Sequence, residues 1–301
     1  MVTLVTGGAG FIGSHVVDAL VERGDEVHVV DNLSNGKREN VAADATLHEL
    51  DIREERLSAL VQELRPDAIL HLAAQADVRV SVERPVFDGE VNVLGTVRVL
   101  EAARAVGAKV VFTSTGGAIY GECDAPAREE DERRPLAPYG TSKLCAEEYL
   151  ATYNRLHGTA HVALRLGNVY GPRQDPHGEA GVVAIFCGKL AAGETCRIFG
   201  DGTQQRDYVY VGDVARALLA ALEAAPAVVN VGTGRAASVV ELHAALCAAA
   251  GVEAEPEFAA ARLGELQRSV LDVSRAREAF GWEPEVTLED GLGRTWRWFT
   301  R

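Results

Sequence analysis

The sequence lacks long apolar runs, and this limits the kinds of location that are open to the protein. No segment reaches the roughly 18 uninterrupted apolar residues that a membrane-spanning helix requires. The first strand-like run, Val2–Val5, ends directly in glycines, and no basic segment precedes it, so a secretory signal peptide is not expected. We therefore predict a cytoplasmic protein with no membrane partner.

Closely spaced cysteines and an excess of positive charge are missing too. The five cysteines are an odd number, with no Cys-x-x-Cys spacing and no histidine nearby in metal-ligand spacing. This pattern predicts free thiols and no metal site. Lysine and arginine total 30 against 44 aspartates and glutamates, a net charge of −14. So acidic a chain argues against a nucleic-acid partner, and an anionic substrate would need locally placed arginines.

What the sequence does contain is an alternation of β-rich runs and helical patterns. The predicted strands are Val2–Val5, Glu26–Val30, Thr46–Leu50, Ala68–Leu72, Lys109–Thr113 and His161–Leu166. The predicted helices are Ile12–Glu22, Glu54–Leu64, Val91–Val106, Ser142–His157, Ala215–Ala225 and Val239–Ala250. Strand and helix in alternation predict an α/β fold, with a parallel sheet covered by helices on both faces.

A glycine-rich segment follows the first strand and opens the first helix. Gly7, Gly10 and Gly13 have the spacing of a short-chain variant of the dinucleotide fingerprint. One glycine permits the tight turn, one lets the backbone approach a pyrophosphate, and one lets the helix pack closely on the sheet. A turn without a ligand is the alternative, but the flanking strand and helix favour a Rossmann-type doubly wound sheet that binds a dinucleotide.

Asp31 ends the second predicted strand, 18 residues after Gly13. An acidic side chain there accepts hydrogen bonds from the adenosine ribose and repels a 2′-phosphate, which favours NAD over NADP. A turn cap is the alternative role for this residue. Asp51 and Ile52, after the next strand, are candidates for contacting the adenine edge.

Tyr139 and Lys143 lie four residues apart at the start of a predicted helix, and such residues share a helix face. Removal of hydride from a secondary alcohol needs a base for the hydroxyl proton. A nearby ammonium favours the phenolate form of a tyrosine, so the pair is a candidate base with its activating cation. A hydroxyl at the end of the fifth strand would complete the set, with Thr115 as first candidate and Ser114 as second.

The character of the sequence changes after Leu166. The segment Asn168–Gly181 is rich in Gly, Pro, Asp and His and predicts a long irregular, functional stretch. Val228–Val231 predicts a strand that returns to the sheet. We therefore expect a dinucleotide-binding domain over residues 1–166, with residues 207–235 returning to it. Residues 167–206 and 236–301 would form a smaller C-terminal substrate-binding region.

Several further motifs occur together along the chain. They are Thr6–His15, Asp31–Arg38, His71–Gln75, Asn92, Tyr139 with Lys143, and Arg165–Pro172. With them the chain resembles, over essentially its whole length, the extended short-chain dehydrogenase/reductases of the NAD-dependent epimerase/dehydratase family. Within that family it is most similar to the UDP-glucose 4-epimerases, because the run Asp31–Arg38 and the loop Arg173–Val183 look specifically epimerase-like.

The resemblance implies roles for individual residues. NAD would be held by Gly7, Gly10, Phe11, Ile12, Gly13, Asp31, Asn32, Asn35, Asp51, Ile52, Leu72, Ala73, Ala74, Gln75, Asn92, Tyr139 and Lys143. The UDP-sugar would contact Gln75, Thr115, Tyr139, Asn168, Val182, Val183, Phe199, Arg206, Arg262, Glu265 and Ser269. Two of these, Arg206 and Arg262, suit a diphosphate because each guanidinium can donate twice.

The implied activity is the interconversion of UDP-glucose and UDP-galactose by oxidation at C4 and re-reduction from the opposite face. Three positions depart from the family pattern: Glu265 stands where an aspartate is common, Ala76 where some members have lysine, and Gly116-Gly117 lengthens the turn after the fifth strand. The extra glycine leaves the choice between Ser114 and Thr115 open. It also argues against a 4,6-dehydratase, which needs an acidic pair there.

Other readings remain open on the sequence alone. They are an epimerase of UDP-N-acetylhexosamines, UDP-glucuronate or UDP-pentoses, and a non-catalytic NAD-sensing module on the same fold. The resemblance places Ser269 at or beside a position that limits the room next to the sugar, where a small residue would admit an N-acetyl group. It also implies a homodimer through the helices Val91–Val106 and Ser142–His157, with Val97, Leu100, Leu144 and Leu150 as candidate interface residues.

Overall fold

The strands and helices are taken from a computed structural model, which describes residues 1–177, 181–261 and 266–301. Its strands are β1 (Val2–Thr6), β2 (Glu26–Asp31), β3 (Thr46–Glu49), β4 (Ala68–His71), β5 (Lys109–Thr115), β6 (Val162–Leu166), β7 (Asn168–Tyr170), β8 (Arg197–Phe199), β9 (Gln205–Arg206), β10 (Tyr208–Tyr210), β11 (Ala227–Val231), β12 (Ala237–Ser238), β13 (Glu257–Ala259) and β14 (Arg268–Ser269).

Its α-helices are α1 (Phe11–Arg23), α2 (Arg56–Leu64), α3 (Val78–Glu83), α4 (Pro85–Gly89), α5 (Gly95–Val106), α6 (Gly116–Ile119), α7 (Pro138–His157), α8 (Val182–Ala191), α9 (Val211–Ala220), α10 (Val239–Ala250), α11 (Ser274–Phe280) and α12 (Leu288–Phe299). A 3₁₀ turn covers Arg38–Asn40 and a π-helical turn covers Glu90–Leu94. None of the helices in the described ranges has the length and apolar character needed to span a bilayer.

Seven of the described strands form one parallel sheet in the order β11-β6-β5-β4-β1-β2-β3. Alternate residues of each strand enter two separate core layers, as the period of two in a strand requires. Val5 packs with side chains of α1 and α9 on one face, whereas Leu4 packs with side chains of α2, α5 and α7 on the other. The predicted α/β fold, a doubly wound Rossmann-type sheet, is therefore confirmed.

The C-terminal part of the chain builds a second, smaller layer of structure. Its short strands form the pairs β10–β7 and β13–β8 and the three-stranded sheet β12-β9-β14. A separate core, which includes Phe186, Leu242, Leu246 and Leu292, joins α8, α10 and α12. β11 leaves this region and joins the edge of the central sheet, where Ala227 pairs with Val162 and Val231 with Leu166.

Three local expectations differ from the structure. The helix expected over Val91–Val106 begins as the π-helical turn, with α5 starting only at Gly95. The stretch expected to be irregular from Asn168 starts with β7, because Asn168 pairs in register with Tyr208 of β10. Leu100 and Leu150 are buried in the core against the sheet, so the expectation that they face a partner subunit is wrong.

Candidate active site

A cavity of about 670 Å³ opens at the carboxyl ends of the central strands, where open α/β sheets bind their ligands. Its walls include many of the residues predicted for the cofactor. These are Gly7, Gly10, Phe11, Ile12, Gly13, Asp31, Asn32, Asn35, Asp51, Ile52, Leu72, Ala73, Ala74 and Gln75. The volume lies within the roughly 300–1,000 Å³ typical of small-molecule and cofactor sites.

The glycine loop is packed so closely that side chains are excluded from it. Gly7 has a φ of 73°, and a Cβ atom there would lie 2.7 Å from the backbone N of Ala73. A Cβ atom on Gly13 would lie 2.1 Å from the carbonyl oxygen of Gly7. Gly10 precedes α1 without a side-chain cap, so the first N–H groups of that helix face the cavity as donors for an anion. This arrangement fits the diphosphate of a dinucleotide.

Asp31 is 8% exposed at the end of β2. Its Oδ2 accepts a hydrogen bond from Ala9 N (3.0 Å) and its Oδ1 accepts one from Leu33 N (2.8 Å). Burial raises the pKa of this carboxyl, although the two backbone donors act in the opposite direction. Each oxygen still has a free lone pair, so the side chain can accept hydrogen bonds from ribose hydroxyls on the cavity side.

Arg53 is a cavity residue that sequence reasoning missed. Its Nε donates to Asp51 Oδ1 (2.9 Å) and its Nη2 donates to Asp51 Oδ2 (2.8 Å), which lowers the pKa of Asp51 to about 2. The guanidinium also lies 5.4 Å from the ring centroid of Phe87, another unpredicted wall residue. The spacing of an arginine two residues after Asp51 was the only local signal, and it does not reveal the packing on Phe87.

Tyr139 and Lys143 lie on one face of α7, four residues apart, as predicted. Lys143 is 3% exposed, and its Nζ donates to the carbonyl oxygen of Thr113 at 2.9 Å. Thr113 belongs to β5 and lines the cavity, so the ammonium lies beneath the carboxyl end of that strand. Burial and the charge of Lys143 lower the pKa of nearby His71 to about 3.

Asn92 connects two segments of the site from outside the cavity wall. The cavity walls formed by the described residues do not include Asn92, Tyr139 or Lys143. Asn92 Oδ1 accepts from Gln75 N (2.9 Å), and its Nδ2 donates to Gln75 O (2.8 Å) and Ser142 Oγ (3.1 Å). The π-helical turn therefore ties the loop after β4 to the helix that carries Tyr139.

Gln75 is a predicted substrate contact, but its side chain is already hydrogen-bonded within the protein. Its Nε2 donates to Asp88 Oδ1 (2.9 Å) and Asp77 O (3.1 Å), and its Oε1 accepts from Asp77 N (2.8 Å). Gln75 still lines the cavity, so its contribution there is one of shape.

The two hydroxyl candidates at the end of β5 differ in environment. Ser114 is 4% exposed, and its Oγ has no hydrogen-bond partner among the described residues. Thr115 is half-buried at the last position of β5. A Cβ atom placed on Gly117 would lie 3.9 Å from Thr115 Oγ1 and 3.4 Å from Asn168 Oδ1. The turn therefore brings Thr115 close to the amide predicted to hold the diphosphate.

The remaining substrate candidates lie on the small C-terminal elements. Arg206 pairs directly with Ser269 across β9 and β14, and the side chain of Ser269 is buried. Val182 and Val183 open α8, and Phe199 ends β8. Arg262 and Glu265 lie outside the described residues.

Comparison with known proteins identifies the family. The model of the NAD-dependent epimerase/dehydratase family matches residues 3–232. The chain belongs to this family. Its epimerase/dehydratase relatives include the UDP-glucose 4-epimerase of Mycolicibacterium smegmatis, which is 49% identical over 99% of this chain and 98% of the relative.

Two solved structures of the epimerase/dehydratase family resemble the chain closely. A UDP-glucose 4-epimerase from Thermotoga maritima, solved with UDP-glucose, has a TM-score of 0.97 and 48% identity, covering 99% of this chain and 98% of that one. A Thermus thermophilus UDP-glucose 4-epimerase in complex with NAD has a TM-score of 0.94 and 48% identity, covering 99% of each chain. The glycine loop and Asp31 of this family member fit the same dinucleotide.

Across the described ranges, no three side chains of the metal-ligating types cluster closely enough to hold an ion. All five cysteines are free thiols.

Proposed function

We propose that the protein is an NAD-dependent UDP-glucose 4-epimerase that interconverts UDP-glucose and UDP-galactose. The observation that carries the proposal is the position of Lys143, whose Nζ donates to the carbonyl oxygen of Thr113 at the wall of the dinucleotide cavity. This contact turns the Tyr139–Lys143 face of α7 toward the carboxyl end of β5. Nearly half-identical UDP-glucose 4-epimerases with UDP-glucose and with NAD support the assignment.

Tyr139 is the proposed base for the C4 hydroxyl proton. The buried ammonium of Lys143 favours the phenolate form of a nearby tyrosine, which makes a phenol usable as a base near neutral pH. Thr115, with Ser114 as the alternative, would donate a hydrogen bond to the reacting oxygen. After C4 is oxidised, Tyr139 holds the proton and returns it when the sugar has turned its other face.

NAD, when bound, supplies the hydride acceptor for C4 and the hydride donor for the reverse step. The residues proposed to hold it are the glycine loop with Phe11 and Ile12, Asp31, Asn32 and Asn35 at and after the end of β2, Asp51 and Ile52 after β3, and the segment Leu72–Gln75 after β4. Because both half-reactions use the same cofactor, retention of NAD through the cycle is expected.

The nucleotide side must hold UDP firmly while the sugar turns. Arg206 and Asn168 are proposed to hold the diphosphate, with Arg262 as a second guanidinium and Glu265 toward the uridine ribose. Val182, Val183 and Phe199 would pack along the nucleotide. On this proposal, residues 1–166 with 207–235 bind the dinucleotide, and residues 167–206 with 236–301 bind the nucleotide-sugar.

Ser269 is proposed to leave room for an N-acetyl group at C2 of the sugar. The residue is small, and its backbone is fixed by pairing with Arg206. The test compares kcat/KM for UDP-galactose and UDP-N-acetylgalactosamine in the wild type and in Ser269→Tyr. Wild-type turnover of both sugars, with selective loss of the acetylated one in the variant, is expected. Rejection of the acetylated sugar by the wild type would refute the assignment.

The epimerase proposal is tested by adding UDP-galactose to purified protein without added NAD and following the anomeric signals by NMR. Formation of UDP-glucose until both sugars reach a constant ratio is expected. A panel of UDP-glucuronate and UDP-pentoses serves as the comparison. Conversion of one of these sugars in place of UDP-galactose would refute the proposed substrate, and no conversion of any sugar would refute the enzyme class.

A cytoplasmic homodimer without a nucleic-acid partner is proposed as the working form. The dimer would use exposed apolar side chains beside α5 and α7, namely Val86, Leu94 and Tyr149. Light scattering should give twice the chain mass for the wild type and for Phe258→Lys, which alters an exposed apolar residue on β13. Tyr149→Lys should give the single mass, and a monomeric wild type would contradict the proposal.

A further inference from the structure

Asp207 is a buried carboxylate between β9 and β10, and 1% of its surface is exposed. Its Oδ1 accepts hydrogen bonds from Thr233 N (2.7 Å) and Thr233 Oγ1 (2.6 Å). Its Oδ2 accepts from Gly234 N (3.0 Å) and Leu271 N (3.3 Å). Both oxygens are therefore occupied by donors from two segments that are far apart in the chain.

The donors at Thr233 and Gly234 belong to a glycine-bearing loop that follows β11 in the central sheet. Loops of this kind at the carboxyl end of a parallel strand often receive an anion through their N–H groups. Here the anion is the side chain of Asp207, which accepts from the N–H groups of Thr233 and Gly234. The carboxylate lies so close to the loop that a Cβ atom on Gly232 would be 2.5 Å from Asp207 Oδ2. The loop is therefore filled by the protein's own carboxylate.

The backbone of Asp207, unlike its side chain, is bonded to proposed substrate residues. Its carbonyl oxygen accepts a hydrogen bond from Asn168 N (2.7 Å), and its N–H donates to the carbonyl oxygen of Ser269 (3.0 Å). Arg206 precedes it directly in β9. Three residues proposed to contact the nucleotide-sugar are thus bonded or adjacent to this one residue.

We infer that Asp207 is a positioning residue for the nucleotide diphosphate: by fixing its own backbone to the 232–234 loop and Leu271, it sets where Arg206 and Asn168 stand. The inference rests on the proposed function in one respect, that Arg206 and Asn168 bind UDP. Asp207 itself does not touch the substrate in this role.

The chemistry of the contacts requires a carboxylate. An asparagine of the same size accepts on one side only, and its NH₂ group would face either the two Thr233 donors or the N–H groups of Gly234 and Leu271. Buried donors that face each other lose their hydrogen bonds or move apart. A shift of about 1 Å in a positioning element is enough to cost as much as roughly 100-fold in function.

Asp213, seven residues after Arg206, offers a matched control. It is also 1% exposed, and its Oδ2 accepts from the backbone N–H groups of Glu285 (3.1 Å) and Val286 (3.0 Å). Its Oδ1 accepts from Arg216 (2.7 Å). It fixes the segment before α12 to α9 and has no hydrogen bond to the proposed substrate residues that the structure describes, so Asp213→Asn measures the cost of the same chemical change elsewhere.

The experiment measures the Kd of UDP by calorimetry, the NAD retained by the purified protein, and the melting temperature. Both Asp207→Asn and Asp213→Asn should melt at lower temperature and retain NAD. Asp207→Asn should bind UDP about tenfold more weakly and raise the KM of the UDP-sugar more than it lowers kcat. UDP affinity should be unchanged in Asp213→Asn.

Equal UDP affinity in Asp207→Asn and the wild type, or the same loss in both variants, would overturn the inference. A wild type that binds no UDP would instead overturn the proposed function. If Asp207→Asn does not fold, Thr233→Val removes the hydroxyl that donates to Asp207 Oδ1 (2.6 Å) and accepts from Arg235 N (3.2 Å), and it should weaken UDP binding about threefold. Thr295→Val, which removes a buried hydroxyl in α12, is its control, and an unchanged Kd for Thr233→Val overturns the inference.

Discussion

On the side of the molecule proposed to bind the dinucleotide, the predicted phosphate-binding elements lie within one short segment, Gly7–Gly13, that joins β1 to α1. On the nucleotide-sugar side, Asn168, Arg206 and Ser269 come from three strands that are widely separated in the chain. The first site uses backbone donors whose placement follows from a local turn. The second uses side chains whose placement follows from pairing between short strands.

Because of this difference, the two sites should be disrupted by different kinds of substitution. A local glycine loop fails when an atom is added, because there is no room for it. An assembled site fails when a contact between distant segments is weakened, because its side chains then point elsewhere. Tyr139 belongs to neither kind, since its proposed contribution is proton transfer and not binding.

The largest effect is expected for Tyr139→Phe, which removes the proposed base and leaves both binding sites in place. Turnover should fall on the order of 10²–10⁴-fold, while NAD content and the Kd of UDP stay near the wild-type values. Tyr153→Phe is the matched control on α7, because the Tyr153 hydroxyl donates to Glu101, away from the cavity. Near-normal turnover in Tyr139→Phe would remove the assigned base.

A smaller effect, confined to the dinucleotide side, is expected for Gly13→Ala. The added Cβ would lie 2.1 Å from the Gly7 carbonyl oxygen, so the loop must shift, and NAD affinity should fall about tenfold. The Kd of UDP should change little. Gly89→Ala in α4 is the control, since among the described residues no atom beyond its chain neighbours and its own helix backbone lies within 4 Å of a Cβ there. Equal NAD content in both variants would contradict the steric account.

Asp31→Asn tests selection between cofactors. The variant keeps the size of the side chain but loses the charge that is proposed to repel a 2′-phosphate and to strengthen hydrogen bonds from the ribose. NAD affinity should fall about tenfold, and the difference between NAD and NADP should shrink. Calorimetry with both cofactors measures this, and an unchanged ratio would show that Asp31 does not reach the ribose.

The smallest expected effect is on the pH dependence of stability, through two histidines of the central sheet region, His71 and His161. Burial, followed by the charge of Lys143, lowers the pKa of His71 to about 3, and burial with Lys109 lowers that of His161 to about 4. The unfolded chain then binds more protons below the ordinary histidine pKa of about 6.5. Stability from these neutral rings is complete above that pH and is lost as the pH falls toward 4.

His161→Asn keeps an acceptor for the Val110 N–H that now bonds His161 Nδ1 (3.0 Å) but cannot titrate. The difference in free energy of unfolding between pH 7 and pH 5, measured with urea, should shrink by about 2 kcal/mol. The exposed His157→Asn should leave the difference unchanged. An equal slope in all three proteins would show that His161 does not contribute.

The parts of the molecule that could be predicted from sequence are those with local causes. Gly7, Gly10 and Gly13 specify a turn by their spacing, and Asp31 ends a strand whose apolar pattern is plain. The π-helical turn at Asn92 could not be predicted, because the side chain of Asn92 bonds to Gln75 and Ser142, which are distant in the sequence. Asp207 was also missed, since its partners Thr233 and Leu271 are distant in the sequence.

Helix orientation was a further limit. The apolar residues of α5 and α7 look alike in the sequence, yet Leu100 and Leu150 face the sheet while Tyr149 is exposed. Both helices pack on the sheet and on each other, so each helix needs a wide apolar surface even without a partner subunit. Only the structure shows which apolar residues of these helices face the sheet and which are exposed.

The place of β11 beside β6 has a consequence for synthesis of the protein. Ala227 pairs with Val162, so on a ribosome adding about 5–20 residues per second the outer edge of β6 waits several seconds for its partner. Open strand edges invite wrong pairing, and a charge within the strand discourages it. We expect Arg165, an ionisable residue within β6 that lies opposite Asn230 in the folded protein, to discourage wrong pairing of this edge until β11 has been made.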